Sequence, residues 1–447
     1  MRMRAGDATE MPASNYLATV REQYEALPYP PRNPELERTR LIHKVGDNLV
    51  ILNHHAFNGA RDFRTGFRAL VAGGGTGDAT IYLAEQLRAF PGEVVHLDLS
   101  RASMAIATER ARIRGLTNIR WVNESIMNLA ALGLGSFDYI NCTGVLHHLE
   151  STEGGLAALK CVLADDGVIL LMLYGKYGRQ SVYDMQALLR SYLPAGLSIP
   201  EKVRMTRALL AALPKSNSFI RDLPRWQSEI GAEGFGDAGL YDLLLHSQDR
   251  CFDVPELYQL ADSAQLDILA FVDRAAAYDP LALLPAGSVS AHLASLDIRS
   301  RRAIGERMVT DLVTHEFYVG RSGAHGEASL DDEANTLVMM GAMHGKHAEI
   351  GAGLTVGGTL TFSGRGGNVT VTGTPVNRAL FGLMDGRTSL ASIYAQVLAS
   401  VPGIGRAAVE RELRQLYGAL NPRGYLYLLR EDSYGSRVPD YGRMPIA

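Results

Sequence analysis

Cysteine is scarce and scattered in this chain of 447 residues: Cys142, Cys161 and Cys251 lie far apart, with no CxxC spacing. That pattern excludes a disulfide framework and a zinc cluster as organising devices, and it fits a reducing compartment. A surplus of one charge is missing as well. With 44 Lys and Arg against 48 Asp and Glu, nothing is left over to neutralise a phosphate backbone, so a dedicated nucleic-acid binder is disfavoured. Long hydrophobic runs are also lacking. No stretch approaches the ~18 apolar residues of a membrane span, and the charged start Met1-Arg2-Met3-Arg4-Ala5-Gly6 leads into no apolar segment. No secretory leader and no membrane partner are expected, and a cytoplasmic location is. What the chain does have is 47% hydrophobic residues, enough to bury a full core and build two or three folding units.

Residues 1–45 read as an N-terminal arm, in which Tyr16 to Leu27 predicts an amphipathic helix that Pro28, Pro30, Pro31 and Pro34 must end. From about Phe67 the rhythm changes. Short apolar runs at Ala69 to Ala72, Val94 to Leu97, Ile119 to Val122, Tyr139 to Cys142 and Val168 to Leu173 alternate with helix-like segments, among them Ala102 to Arg114 with Ser100 as its cap. This βαβ series requires a parallel sheet with helices on both faces and defines a core at 46–180. A helical stretch, roughly Val182 to Leu245, forms an insertion at 181–250 of the kind that serves as lid or dimer surface. Strands at Leu266 to Val272 and Thr314 to Gly320 then complete the sheet within 251–322. Residues 323–447 predict a separate unit: a β-ribbon between Leu354 and Val371, helices at Val376 to Leu383, Ser389 to Ser400 and Arg406 to Leu420, and a strand at Gly424 to Leu428.

The segment Leu70-Val71-Ala72-Gly73-Gly74-Gly75-Thr76-Gly77-Asp78 places a glycine-rich turn between a buried-type strand and a helix. Glycines there let a ligand approach the main chain and permit positive φ. The last position of a GxGxxG dinucleotide fingerprint would be Asp78, and a carboxylate facing a pyrophosphate is electrostatically wrong, so a nucleotide-like ligand without phosphate is expected. Asp98 ends the second strand, where a carboxylate can accept hydrogen bonds from both hydroxyls of a ribose. A glycine-rich turn alone is weak evidence, since any tight strand-to-helix turn accounts for it. Turn, strand and acid together are specific.

These residues resemble motif I and the acidic loop of the class I, S-adenosylmethionine-dependent methyltransferases. Further matches follow in order: Glu124-Ser125-Ile126, the segment Phe137 to Leu149 ending Gly144-Val145-Leu146-His147-His148-Leu149, and Asp165-Asp166-Gly167-Val168. The likeness covers about Asn53 to Gly175 and extends thinly to Arg321. It implies an α/β fold with a seven-stranded Rossmann-like methyltransferase sheet and helical insertions, plus a small α+β winged-helix-like C-terminal domain. It also implies S-adenosylmethionine as cofactor and S-adenosylhomocysteine as product, held by Gly73, Gly74, Gly75, Thr76, Gly77, Asp98, Leu99, Ser125, Ile126, Asn141 and Thr143, with no metal. The family often has an acid where Val71 stands and an Asp where Ser125 stands. Ser125 can still meet an adenine amino group through its hydroxyl, and Ile126 the ring through its backbone N–H.

Methyl transfer is an in-line displacement, so the protein must position the nucleophile and exclude water, with a base only where the nucleophile is protonated. His147 and His148, after the fourth strand, are the candidate bases, although a strand-end His is more often held in a structural hydrogen bond. Tyr24, Tyr29 and Arg32 of the arm, and Tyr174, Tyr177 and Arg179 after the fifth strand, are candidate substrate contacts, suited to an anionic or aromatic acceptor. The arm can equally be packing. The YPYPPR, GVLHHL and LYGKYGR segments together resemble a group of bacterial methyltransferases, and Leu380 to Leu390 resembles the turn of PqqD-like winged-helix domains. The expected function is methyl transfer to a small molecule, the alternative a protein or peptide methyltransferase using the C-terminal domain, and a third reading a non-catalytic cofactor-binding protein. A homodimer is expected. The signature of Asn or Asp followed by two prolines and an aromatic is absent, since Cys142-Thr143-Gly144 follows Asn141, which disfavours nucleic-acid base methylation.

Overall fold

A computed structural model describes residues 13–284, 287–363 and 367–430. The charged start at Met1 to Gly6, the end of the C-terminal unit beyond 430 and part of the predicted ribbon, 364–366, lie outside the described residues. The chain opens with α1 (Ala13–Ala26) and α2 (Leu49–Ala56), the latter capped by the Asn48 side chain, which accepts from the N–H groups of Val50 and Ile51. There follow β1 (Phe67–Ala72), α3 (Asp78–Leu87), β2 (Gly92–Asp98), α4 (Arg101–Arg114), β3 (Ile119–Asn123), β4 (Phe137–Thr143), α5 (Thr152–Cys161) and β5 (Leu163–Gly175). The insertion consists of α6 (Gln180–Tyr192), α7 (Ile199–Ala212), α8 (Ser218–Ile230) and α9 (Gly236–Leu244). Then come β6 (Cys251–Phe252), α10 (Val254–Ser263), β7 (Leu266–Phe271), α11 (Pro280–Leu283), α12 (Ser288–Ala294), α13 (Ile298–Val309) and β8 (Thr314–Arg321).

The sheet runs β3-β2-β1-β4-β5-β8-β7, with β1 to β5 parallel and β8 antiparallel to both of its neighbours. This is the Rossmann-like methyltransferase sheet expected from the sequence. The two-residue β6, which pairs with the end of β5, is an addition that no periodicity announces. Successive residues of the central strands point to opposite faces. Leu70, Val95, Ile140, Ile169 and Phe317 pack on α5 and α10, while Val71, Tyr139, Leu170 and Tyr318 pack on α2 and α3. Burial on both faces explains why these strands read as unbroken apolar runs. Strand order reverses between β1 and β4, which opens a crevice at their carboxyl ends. Among the described residues no helix is long and apolar enough to cross a membrane.

The C-terminal unit comprises β9 (Asn335–Met339), α14 (His347–Gly353), the hairpin β10 (Thr359–Phe362) and β11 (Val369–Thr372), α15 (Pro375–Gly382), β12 (Asp385–Ser389), α16 (Leu390–Ser400), α17 (Arg406–Leu420) and β13 (Leu426–Arg430). Strands β12-β9-β13 form an antiparallel sheet. The hairpin, the three helices and the last strand fall near their predicted places, but β9 and β12 were not foreseen. Five buried residues carry no period that distinguishes strand from loop. Asp385-Gly386 reads as a turn, and its carboxylate does accept from the N–H groups of Arg387 and Thr388. The unit is stitched to α2: Val338, Met340, Tyr427 and Leu429 join the core beneath that helix. In addition, Ala328 N–H donates to the His54 carbonyl at 2.8 Å and Leu428 N–H to His54 Nδ1 at 3.1 Å.

Arg110 of α4 is 1% exposed and holds Glu37 and Asp78 at 2.7 and 2.8 Å, while also donating to the Thr76 carbonyl at 2.7 Å. Its loss would leave two buried carboxylates each short of one partner and the Thr76 carbonyl without its donor. Arg110→Met is therefore expected to lower unfolding free energy by about 3–5 kcal/mol in urea titrations. Arg112→Met, which breaks only the exposed, solvent-screened pair with Glu109, should leave the urea midpoint essentially where it was.

Candidate active site

The glycine turn after β1 forms one lip of the crevice. Gly75 (φ +52°) has a positive φ, and a Cβ there would lie 2.8 Å from the Tyr29 carbonyl oxygen. Gly77 (φ +98°) starts α3 against Ala107 of α4, whose methyl would lie only 2.8 Å from a Cβ at this position. Glycine is thus required both by the backbone and by what lies over it. Asp98, at the end of β2, accepts from Gly75 N–H through Oδ2 (2.7 Å) and from Ser100 N–H through Oδ1 (2.8 Å). Burial raises its pKa, and these two backbone donors act against that. The Leu99 N–H also favours the charged form, and the carboxylate faces the crevice.

A cavity of about 440 Å³ runs from this turn toward the helical insertion. Gly73, Gly74, Gly75, Asp98, Leu99, Ser125, Ile126, Asn141 and Thr143 line its first half. Thr76 and Gly77, also expected at the ligand, stand behind the turn instead. Thr76 is fully buried and donates its hydroxyl to the Pro30 carbonyl at 2.7 Å, because the arm lies across the turn. Ser125 Oγ accepts from Met127 N–H at 3.2 Å and heads a 3-10 turn that starts at Ile126. Asn141 donates to buried Asp47 at 2.7 Å, fixing the end of β4.

The arm forms the roof. Arg32 grips Asp78 through Nε (2.9 Å) and Nη2 (2.6 Å), and its guanidinium lies 5.1 Å from the Phe235 ring centre. Burial alone would raise the Asp78 pKa, but Arg32 and Arg110 outweigh it and hold the carboxyl at about 2. The carboxylate that spoils the dinucleotide fingerprint is therefore a clasp for the arm, and Arg32 is committed to it.

Tyr24, Tyr29, Tyr174, Arg179 and His148 line the second half of the cavity, together with residues that sequence reasoning missed: Trp226 and Glu229 of α8, Phe235, and Asp242 of α9. The signal for Asp242 was there in outline, as a single acid within the apolar run Leu240-Tyr241-Asp242-Leu243-Leu244. Tyr29 donates to Glu229 at 2.8 Å and Tyr24 to Asp242 at 3.0 Å. Two expected contacts lie elsewhere. Tyr177 does not reach the cavity; its hydroxyl accepts from Arg307 at 3.0 Å. The cause is the close packing of Gly175 and Gly178 on the backbone of Leu312 and Val313, which turns Arg179 inward and Tyr177 outward. His147 is also absent from the wall. Its ring stacks on Tyr174 at 3.8 Å, and burial drives its pKa well below the usual imidazole value.

His148 does face the cavity. Its Nδ1 lies 2.8 Å from the Gln248 carbonyl, which it can only reach as a donor, so in the neutral tautomer the lone pair is on Nε2. His148, Asp242 and His246 offer potential metal-binding atoms within 4.8 Å of one another. The two imidazoles are stacked, however, 3.8 Å apart and tilted by 24°. One ion cannot lie in the plane of both rings, as imidazole coordination through a ring nitrogen demands, so the stacked pair is poorly arranged to share a metal.

Residues 70–169 match the family model described as a methyltransferase domain. Over that segment the chain is similar to methyltransferase domains. An uncharacterized protein of a Synechococcus strain is 31% identical over 259 residues, 57% of this chain and 60% of that protein. The chain therefore spans less than two thirds of the length of this curated relative. Among solved structures, PKMT2 from Rickettsia typhi in complex with AdoHcy is similar with a TM-score of 0.62 at 15% identity, over 90% of this chain and 77% of that one. A second structure of PKMT2 from Rickettsia typhi gives 0.63, at 15% identity, over 88% and 77%. At such identity the shared property is the fold.

The Asp78 clasp has a pH signature. Its folded-state pKa lies below the ordinary carboxylate value near 4, so its contribution is fully present above pH ~4 and is lost as pH falls toward about 2. Arg32→Met should raise that folded-state pKa and lower stability at neutral pH. The midpoint of acid unfolding, followed by circular dichroism, is expected to move to higher pH; an unchanged midpoint would remove the clasp from the account.

Proposed function

We propose that the protein transfers a methyl group from S-adenosylmethionine to a small molecule enclosed between the glycine turn and helices α8 and α9, releasing S-adenosylhomocysteine. The observation that carries this reading is the continuity of one cavity, with the glycine turn and Asp98 at one end and an aromatic, polar chamber at the other. The residues suit the cofactor. The Asp98 carboxylate at the cavity wall suits a pair of ribose hydroxyls, the Ser125 hydroxyl and the first N–H of the turn at Ile126 match an adenine edge, and the bare glycines admit the adenosyl group against the main chain. When bound, S-adenosylmethionine would supply an electrophilic methyl carbon for the acceptor's nucleophilic atom, the electron pair of the broken carbon–sulfur bond staying on sulfur.

The chain's own residues bind, orient and dry the site. Tyr24 and Tyr29 close the cavity from the arm side and exclude water. His148, with Nδ1–H fixed on Gln248, presents Nε2 to accept a proton from an acceptor that carries one. The alternative, a protein or peptide methyltransferase recognising its substrate through the C-terminal unit, has less support, because among the described residues none beyond Thr314 lines the cavity.

Asp98→Ala is expected to weaken S-adenosylhomocysteine binding by about 1.5–3 kcal/mol, the scale of hydrogen bonds to a charged group, as read by titration calorimetry. Unchanged affinity would remove the ribose assignment. Incubating the enzyme and isotopically labelled cofactor with cell extract should yield a labelled small molecule heavier by one CH2 unit, absent with Asp98→Ala; label appearing only in protein would favour the alternative.

A further inference from the structure

We propose that the acceptor half of the cavity recognises a cationic amine carried on an aromatic or apolar stem; this rests on the methyltransferase reading of the same cavity. The argument is one of charge. Glu229 and Asp242 both line the chamber, and among the described residues each accepts hydrogen bonds from neutral hydroxyls only: Tyr29 on Glu229, and Tyr24 with Tyr174 (3.4 Å) on Asp242. Hydroxyl donors satisfy lone pairs but leave the negative charge uncompensated, and burying it among aromatic rings is costly without a counter-ion.

The buried guanidinium in this part of the cavity wall does not fill that role. Arg179 is 3% exposed and lies 3.5 Å over the Tyr174 ring centre and 5.4 Å from that of Trp226. Its countercharge is Asp249 at 3.9 Å, which is itself buried and held by Tyr183 and Gln186. Arg32 is engaged with Asp78. Arg179 also attracts Glu229 and Asp242 and so stands as one guanidinium against three carboxylates, while Lys44 at the cavity wall faces Asp47, Asp78 and Glu316; the chamber is left negative. Burial raises the pKa of both carboxyls, with Arg179 pulling the other way on each. Arg179 also shows that these rings accept a cation against their faces. An ammonium group entering beside the two carboxylates would find charge compensation, aromatic walls and, at His148 Nε2, an acceptor for its proton. An anionic acceptor, the class that Arg179 suggested in the sequence, would meet two carboxylates of its own sign.

The experiment uses the full chain saturated with S-adenosylhomocysteine and three probes that share one ring and differ in charge: phenethylamine, 2-phenylethanol and phenylacetate. Calorimetry is expected to show phenethylamine binding at least about tenfold more tightly than the alcohol, the factor that ~1.4 kcal/mol of charge-assisted contact confers, and no heat from phenylacetate. Glu229→Gln should abolish the preference for the amine over the alcohol while leaving S-adenosylhomocysteine affinity unchanged. Tyr29→Phe, which keeps the charge and removes only the hydroxyl, should retain that preference, separating lost charge from lost packing. Equal or tighter binding of the alcohol or phenylacetate, or no binding of the amine by protein that binds S-adenosylhomocysteine, would overturn the inference and leave the methyltransferase reading standing. Failure to bind S-adenosylhomocysteine would sink both.

Discussion

The site depends on one buried ionic arrangement, the Asp78 carboxylate held between the guanidinium groups of Arg32 and Arg110. Asp78 begins α3 directly after the glycine turn, Arg110 comes from α4, and Arg32 comes from the arm. Two helices of the sheet and a segment far away in sequence are thereby tied at one point. Glu37 shares Arg110 and also holds Arg114, so that the next turn of the arm is anchored as well. With the charges paired and desolvated, the arm has a defined path over Gly75, and that path places Tyr24 and Tyr29 at the acceptor chamber.

The two halves of the cavity have different structural origins, which explains how legible each was. The cofactor half comes from strand ends and the turns that follow them, where glycines, a terminal Asp and an apolar run leave a local signature at fixed spacing. Gly73 to Gly75, Asp98, Leu99, Ser125, Ile126, Asn141 and Thr143 were all marked from sequence and all line the cavity. The acceptor half comes from helices α8 and α9 and from the arm, brought together across about 200 positions, as the Tyr29 to Glu229 contact illustrates. No periodicity or motif encodes such an encounter. Glu229 reads as one more charge on an amphipathic helix, and only its position against Tyr29 gives it meaning. The same limit affected Thr76 and Tyr177. Their neighbourhood was right, but the direction of a side chain at a tight turn is decided by what packs on the turn.

For the fold the balance is similar. Strands buried on both faces announce themselves as apolar runs, and β1 to β5, β7 and β8 were anticipated. The short β6, β9 and β12 were not, since their pairing is set by neighbours rather than by composition. The C-terminal unit leans on α2 through His54, whose ring meets the backbone of Leu428 on one side and Tyr417 and Asn421 on the other. Nothing in the sequence around this histidine marks it as a joint between two units; in the fold it is fully enclosed.

The arm touches both halves of the cavity within a few residues: its Pro30 carbonyl receives Thr76 behind the glycine turn, while Tyr29 next to it reaches Glu229. The chamber walls contributed by α8 and α9, by contrast, take no part in the sheet. On the proposed reading, acceptor preference can therefore diverge by exchanging side chains on those two helices while the nucleoside end stays fixed, provided the tyrosines of the arm are retuned alongside them. The segment from Tyr24 to Arg32 is in this sense the coupling element between a fixed chemistry and a variable appetite.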